Sequence, residues 1–259
     1  MAKGKNKKLS KKGKIVKKGE KHPFTKKEWF SVIAPAALRE SKSVGWTCCK
    51  KPTGTQMVSD FLKNRVAEMS YADITNSAKD VAKRIRVQIE EIQGSSCFTS
   101  FYSYELAREK IAAMLKKRQT LIEVVSEVKT TDGVIFRIFL YAVTTKSRNQ
   151  VKLNSYAKSS KVRALRKRLF AELAAQASTL TSKNFIHEVV SEALNANLEK
   201  AANDVIPGVK LQIGKLKIAK RGNVEFTKAV ETVEPTQAVG GDKKRKENPD
   251  AQNLLSKKD

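Results

Sequence analysis

An α+β fold is predicted by this sequence. It is a curled or barrel-like, mostly antiparallel sheet with one helix inserted, followed by helices and a final strand. A basic N-terminal arm and a polar C-terminal tail flank it. Three observations predict this. Between residues 23 and 145, short apolar-rich runs recur at close spacing, punctuated by Pro and Gly, which is how a curled or closed sheet reads. Beyond residue 145 the apolar period lengthens to that of a helix. The two ends, 1–22 and 230–259, hold too few apolar residues to offset the entropy of ordering. The expected organisation is therefore an arm (1–22), a β-rich domain (23–145), a basic loop with helices and a last strand packed on the sheet (146–229), and a disordered tail (230–259).

The elements follow in order. Residues 29–33 form a first strand closed by Ala34-Pro35, and 44–50 a second that ends before Pro52. Residues 65–70 form a third, with Val66 and Glu68 on one face. In 84–90, Ile85, Val87 and Ile89 alternate with Arg84, Arg86, Gln88 and Glu90, the period-two signature of a half-buried strand. Gln93-Gly94 turns the chain and 97–102 returns. Ser103 reads as the cap of a helix over 104–119, whose stripe is Ala107, Ile111, Met114, Leu115 and Arg118. Runs 121–130 and 134–144 meet at Asp132-Gly133, a hairpin signal in which both central residues need positive φ.

Helical periodicity then takes over. Val162, Leu165, Leu169 and Leu173 share one face, with Lys161, Arg163, Lys167 and Arg168 toward the other. A second helical stretch spans 182–205, broken near Asn195-Ala196-Asn197 and ended by Pro207-Gly208. Val209, Leu211 and Ile213 alternate with polar residues as the last strand.

Charge narrows the function. The 259 residues carry 52 Lys+Arg against 26 Asp+Glu, a net +26. Residues 1–27 hold twelve Lys and one acid, and 146–169 hold nine bases and no acid, so +20 of the +26 sits in two segments. Such blocks on a mildly charged body ask for a polyanion. The longest mostly apolar run, 134–143, is broken by Arg137 and falls short of the roughly 20 residues a spanning helix needs. No hydrophobic signal core precedes the body. The chain is expected to be neither secreted nor inserted. Cys48, Cys49 and Cys97 form no disulfide framework, which suits a reducing cytosol.

No catalytic constellation emerges. His22 lies in the N-terminal arm and His187 falls mid-helix, so neither reads as part of a catalytic arrangement, and the cysteines lack zinc-ligand spacing. Cys97 in a strand reads as a small buried apolar residue. Gly208 to Lys215 resembles a phosphate loop, but it has five residues between its glycines, no Ser/Thr after Lys, and strand periodicity. The chain is read as a non-enzyme without metal or cofactor. Helix-turn-helix, zinc-finger and RNP-type aromatic motifs are missing, and few aromatics interleave with the bases. Phosphate contact is favoured over base reading or stacking, as on a large structured RNA.

Residues 62–74, Leu-Lys-Asn-Arg-Val-Ala-Glu-Met-Ser-Tyr-Ala-Asp-Ile, resemble the signature of the S-three-A-e family, also called eukaryotic S-one, of small-subunit ribosomal proteins. The family pattern is Leu-x-Gly-Arg-x-x-Glu-x-Ser-Leu-x-Asp-Leu. Leu62, Arg65, Glu68, Ser70 and Asp73 match it, while Asn64, Tyr71 and Ile74 depart from it. Further blocks resemble the family in order: 23–30 with Ala34-Pro35-Ala36, Gly54-Thr55, 119–123, 128–133, Asn149-Gln150 and Ser155-Tyr156-Ala157. Together they cover about 1–220. Arg118, Cys48-Cys49, a shortened helical region before Pro207 and the 230–259 tail depart from the family and suggest a divergent eukaryotic member.

The resemblance implies a structural constituent of the small (40S) subunit, on the platform near the messenger exit. It implies contact with small-subunit ribosomal RNA and neighbouring platform proteins, close to where initiation factor three docks. It places the protein in the cytoplasm, with nucleolar transit during assembly. The expected RNA contacts are Lys3, Lys5, Lys7, Lys8, Lys11, Lys12, Arg148, Lys152, Lys161, Arg163, Arg166 and Arg168. No membrane or small-molecule partner is expected. The alternative is a free-standing nuclear or nucleolar RNA-binding or ribosome-assembly factor. Lys243–Lys246 reads equally as its import signal, as a further RNA contact or as a solvated charge run.

Overall fold

Eight strands form one sheet in the computed structural model, which describes residues 22–38, 42–147 and 149–222. The expected tail and all of the expected arm but His22 lie outside the described residues, as do Arg39 to Ser41. β1 (Lys27–Ile33) and β2 (Ser43–Lys50) pair antiparallel. β3 (Val66–Ser70), β4 (Lys83–Gln93) and β5 (Ser96–Leu106) form an antiparallel meander. The hairpin β6 (Leu121–Lys129)–β7 (Ile135–Thr144) is completed by β8 (Val209–Lys220) along β7. Two short helices, α1 (Val58–Leu62) and α2 (Tyr71–Thr75), flank β3, and α3 (Arg108–Met114) follows β5. The main helices are α4 (Ser159–Thr179), α5 (Ser182–Val190) and α6 (Ala193–Asn203).

The sheet is open, which corrects the barrel-like expectation. β5 is the reason. β4 pairs with its whole length, while its other edge is divided between β1 at Ser96–Phe98 and β8 at Ser103–Glu105. The strands therefore diverge into two wings, and β2, β3 and β6 remain edges. The β1–β5 pairing is parallel and every other strand pair is antiparallel. Edges β2 and β3 are bridged by Arg65, whose Nη1 donates to Thr47 Oγ1 and to the Cys48 carbonyl, each at 2.9 Å.

Alternation puts Ile85, Val87, Phe101, Ile122, Val124, Phe136 and Ile138 on one buried face. α4 covers β6 with Leu165, Leu169, Leu173 and Ala177, and α6 packs on β8 and α4. Each such leucine, fully withdrawn from water, contributes roughly 2 kcal/mol. Phe136 and Phe185 meet with ring centroids 5.4 Å apart. A second, small cluster joins Phe30, Cys49, Leu62, Ile89 and Cys97. Cys97 is fully buried there, and burial pushes its thiol pKa up, so it is a packing residue as expected.

Three local expectations are corrected. The helix over 104–119 shrinks to α3, because β5 runs on through Leu106. Ser103 pairs with Arg86 and Lys217 inside the sheet, and Tyr104 and Leu106 are buried. Two-sided strand pairing outweighs the local cap signal, and α3 buries none of its residues. The Asp132-Gly133 hairpin forms, but only Gly133 takes positive φ (+80°). Its N–H donates to the Thr130 carbonyl at 3.0 Å, a longer turn closed by a left-handed glycine. Finally, the break in 182–205 falls at Ser191-Glu192, where Glu192 is left-handed (φ +66°), and Asn195 lies buried inside α6.

Val209 to Lys215 lies on strand β8, as its periodicity required, and Gly208 is the left-handed turn residue just before it. Gly214 is there for space: a Cβ would lie 2.0 Å from Tyr141 Cε2, inside the ring's van der Waals envelope.

Candidate nucleic-acid interface

The basic segment 146–169 is a braced loop leading into α4. Thr144 Oγ1 donates to the Ser155 carbonyl (2.6 Å), Ser155 N donates to the Arg118 carbonyl (2.9 Å), and Ala157 N donates to Thr120 Oγ1 (3.0 Å). The Gln150 amide spans the loop to the carbonyls of Lys152 (3.0 Å) and Asn154 (2.6 Å). These anchors hold Lys146, Lys152 and Lys158 in solvent. An open groove of about 330 Å³ runs between this loop and Ile206-Pro207, with Lys158 and Lys161 on its wall. No charge pattern marks Thr144, Gln150 and Ser155 as anchors; Gln150 and Ser155 show only as part of the family blocks.

α4 carries its cations over its exposed arc. Lys161, Arg163, Arg166, Lys167 and Arg168 are all exposed. With 3.6 residues per turn, Lys161 and Arg168 flank one side of the buried stripe, Arg163 and Arg166 the other, and Lys167 points outward. The N-cap Lys158 makes no side-chain capping bond and the first turn holds no acid. The positive end of the helix dipole therefore coincides with Lys158 and Lys161, which favours an anion.

Pairing separates these cations from several arginines and two of the lysines on or beside the sheet. On the sheet, Lys83 meets Asp80 (2.8 Å), Arg86 meets Glu68 (3.0 Å), Lys215 meets Glu105 (3.0 Å), Arg221 meets Glu90 (2.7 Å) and Arg137 meets Glu127. No carboxylate among the described residues lies in ion-pair range of Lys152, Lys161, Arg163, Arg166, Lys167 or Arg168. Of the predicted contacts, the structure thus brings Lys152, Lys161, Arg163, Arg166 and Arg168 onto one loop-and-helix unit. Lys3, Lys5, Lys7, Lys8, Lys11, Lys12 and Arg148 lie outside the described residues.

The 62–74 signature serves structure. Leu62 is buried in the small cluster and Arg65 bridges β2 and β3. Glu68 takes Arg84 and Arg86, and Ser70 Oγ accepts from Ala72 N at the start of α2. Asn64, where the family pattern has Gly, is left-handed (φ +64°), a conformation that Asn tolerates better than most residues.

Among the described residues no cluster of His, Cys, Asp and Glu could hold a metal ion, and no helix is long and apolar enough to cross a membrane. Fold and surface define a class: a scaffold that presents unpaired cations from rigid elements. The chain belongs to the ribosomal S3Ae family, whose profile matches residues 15–222. It is similar to small ribosomal subunit protein eS1 of Theileria annulata, at 34% identity over 99% of this chain and 98% of that protein. The Theileria parva protein of the same name is 34% identical with the same coverage, and that of Babesia bovis 33% identical over 99% of this chain and 97% of its own. Membership makes the chain a ribosomal protein and not an enzyme.

Proposed function

We propose that the protein is a structural constituent of the small ribosomal subunit that binds small-subunit ribosomal RNA through the 146–169 loop and α4. The unpaired cations on the exposed arc of α4 carry this reading. Held against the core by Leu165, Leu169 and Leu173, they meet phosphates without first ordering a flexible segment. Cations on both flanks of the buried stripe let the helix bridge two RNA segments and offset their mutual repulsion. The names of the relatives supply the small subunit. The lysines of residues 1–22 and Arg148 join the reading from sequence alone, as further phosphate contacts.

The family resemblance adds a position on the platform near the messenger exit, beside other platform proteins and close to the docking place of initiation factor three. It also adds nucleolar transit before the mature cytoplasmic ribosome. Sucrose-gradient fractionation of cell lysate tests the core of this. The protein is expected in small-subunit and polysome fractions; a pool that sediments apart from both overturns it.

A further inference from the structure

Strands β1 and β2 turn one face to solvent, and its composition is unusual. Antiparallel register sets Lys27 opposite Lys50, Trp29 opposite Cys48 and Ser31 opposite Trp46. Side chains two apart on a strand share a face. That face therefore bears two opposed lysines at one end and two tryptophans on its diagonal. Trp46 is 68% exposed and Trp29 49%. Phe24, from the turn before β1, stacks near Trp29 with centroids 6.1 Å apart and planes 20° apart. The Lys27 ammonium lies 4.8 Å from the Phe24 centroid.

Two costs are left open here. Like charges directly opposed on antiparallel strands destabilise the pair. Lys26, Lys27, Lys50 and Lys51 have no carboxylate in ion-pair range among the described residues, and Glu28 alternates to the other face. The rings also leave flat apolar surface in water. A ligand with both a negative backbone and a free π-face relieves both costs. A duplex buries its π-faces in its own stack, so the matching ligand is single-stranded.

We propose that this face binds an unpaired stretch of ribosomal RNA. One base stacks on Trp46, another stacks on the Trp29–Phe24 pair, and phosphates lie on Lys27 and Lys50. The two ends of the face are four residues apart, about 13 Å, so the lysine pair and Trp46 serve different nucleotides. The proposal rests on the RNA-binding reading above.

Trp29 and Trp46 are the chain's two tryptophans, so the intrinsic fluorescence of the full-length protein reports from this face alone. A short unstructured RNA is expected to quench it, and Trp46→Ala to weaken that RNA about tenfold while duplex RNA binds as before. Duplex binding with no response to the single strand, or an equal loss for both RNAs, overturns this site and leaves the α4 reading intact. If no RNA binds, both fall. In small subunits washed free of messenger, a photo-crosslinking amino acid in place of Trp46 is expected to join ribosomal RNA. A crosslink to a protein, or to RNA only when messenger is returned, overturns the proposal.

Discussion

The turn at Thr131-Asp132 holds two helix ends, and Asp132 holds one of them. Its carboxylate accepts from Ser182 N at 2.6 Å and from Ser182 Oγ at 2.7 Å, capping α5, whose own N-cap Thr181 makes no side-chain bond. Beside it, Thr131 Oγ1 donates to the carbonyl of Leu180 at the end of α4 (3.0 Å). The Ser182 backbone N–H, chiefly, holds the Asp132 pKa below the usual carboxylate range, against a smaller opposing effect of burial. A pKa lowered by folding stabilises the native state above the unfolded value, and the gain is lost as pH falls through the folded one. Asp132→Asn is therefore expected to cost about 1.5 kcal/mol at neutral pH. That gap should close as pH drops below about 3.9. Urea unfolding of both proteins across that range checks it, and a gap independent of pH would refute the charged cap. In the sequence Asp132 is legible only as a turn residue, because its partner lies fifty positions away.

At the scale of elements, the junction between α5 and α6 is fastened by Lys83, a buried lysine on β4. Its ammonium donates to the Val190 carbonyl at the end of α5 (2.8 Å) and pairs with Asp80 (2.8 Å) and with Glu192 at the left-handed break (3.3 Å). It also faces the Tyr71 ring, 5.7 Å from its centroid. Removing one partner of a buried charge cluster strands the others, so Lys83→Met is expected to cost about 3 kcal/mol in chemical unfolding. A near-neutral Lys83→Met would show that the junction is held by packing alone. This junction explains why the break was misplaced in the sequence. Asn195-Ala196-Asn197 has the look of a helix breaker, yet Leu194 and Leu198 are fully buried and carry the helix through it. Strands fared better, because period-two burial in β4, β6 and β7 is written in single residues. The end of β5 was lost where pairing on both edges, which no local pattern shows, overrode a plausible cap.

For the whole molecule, the two blocks of charge were legible, and the α4 block folded as its periodicity required. Openness of the sheet was not legible, since it depends on β5 sharing one edge between β1 and β8. The aromatic face was missed for a related reason: Lys27 and Trp29 lie on one strand, Trp46 and Lys50 on the next, and only their register makes a surface. The charge separation also makes an ionic-strength prediction. Arg84, Arg137 and Arg221 are already paired with carboxylates, so they have little to give to phosphates, whereas the cations of α4 release counterions in full. Replacing Arg163, Arg166 and Arg168 together by Gln is expected to lower the slope of log affinity against log salt by about 3 for structured ribosomal RNA. Replacing Arg84, Arg137 and Arg221 in the same way should leave it nearly unchanged. All six side chains are exposed or half-exposed, so both triple variants test binding rather than folding. Circular dichroism of each confirms that, and equal slopes for the two variants would mean that net charge, not its placement on α4, drives RNA binding.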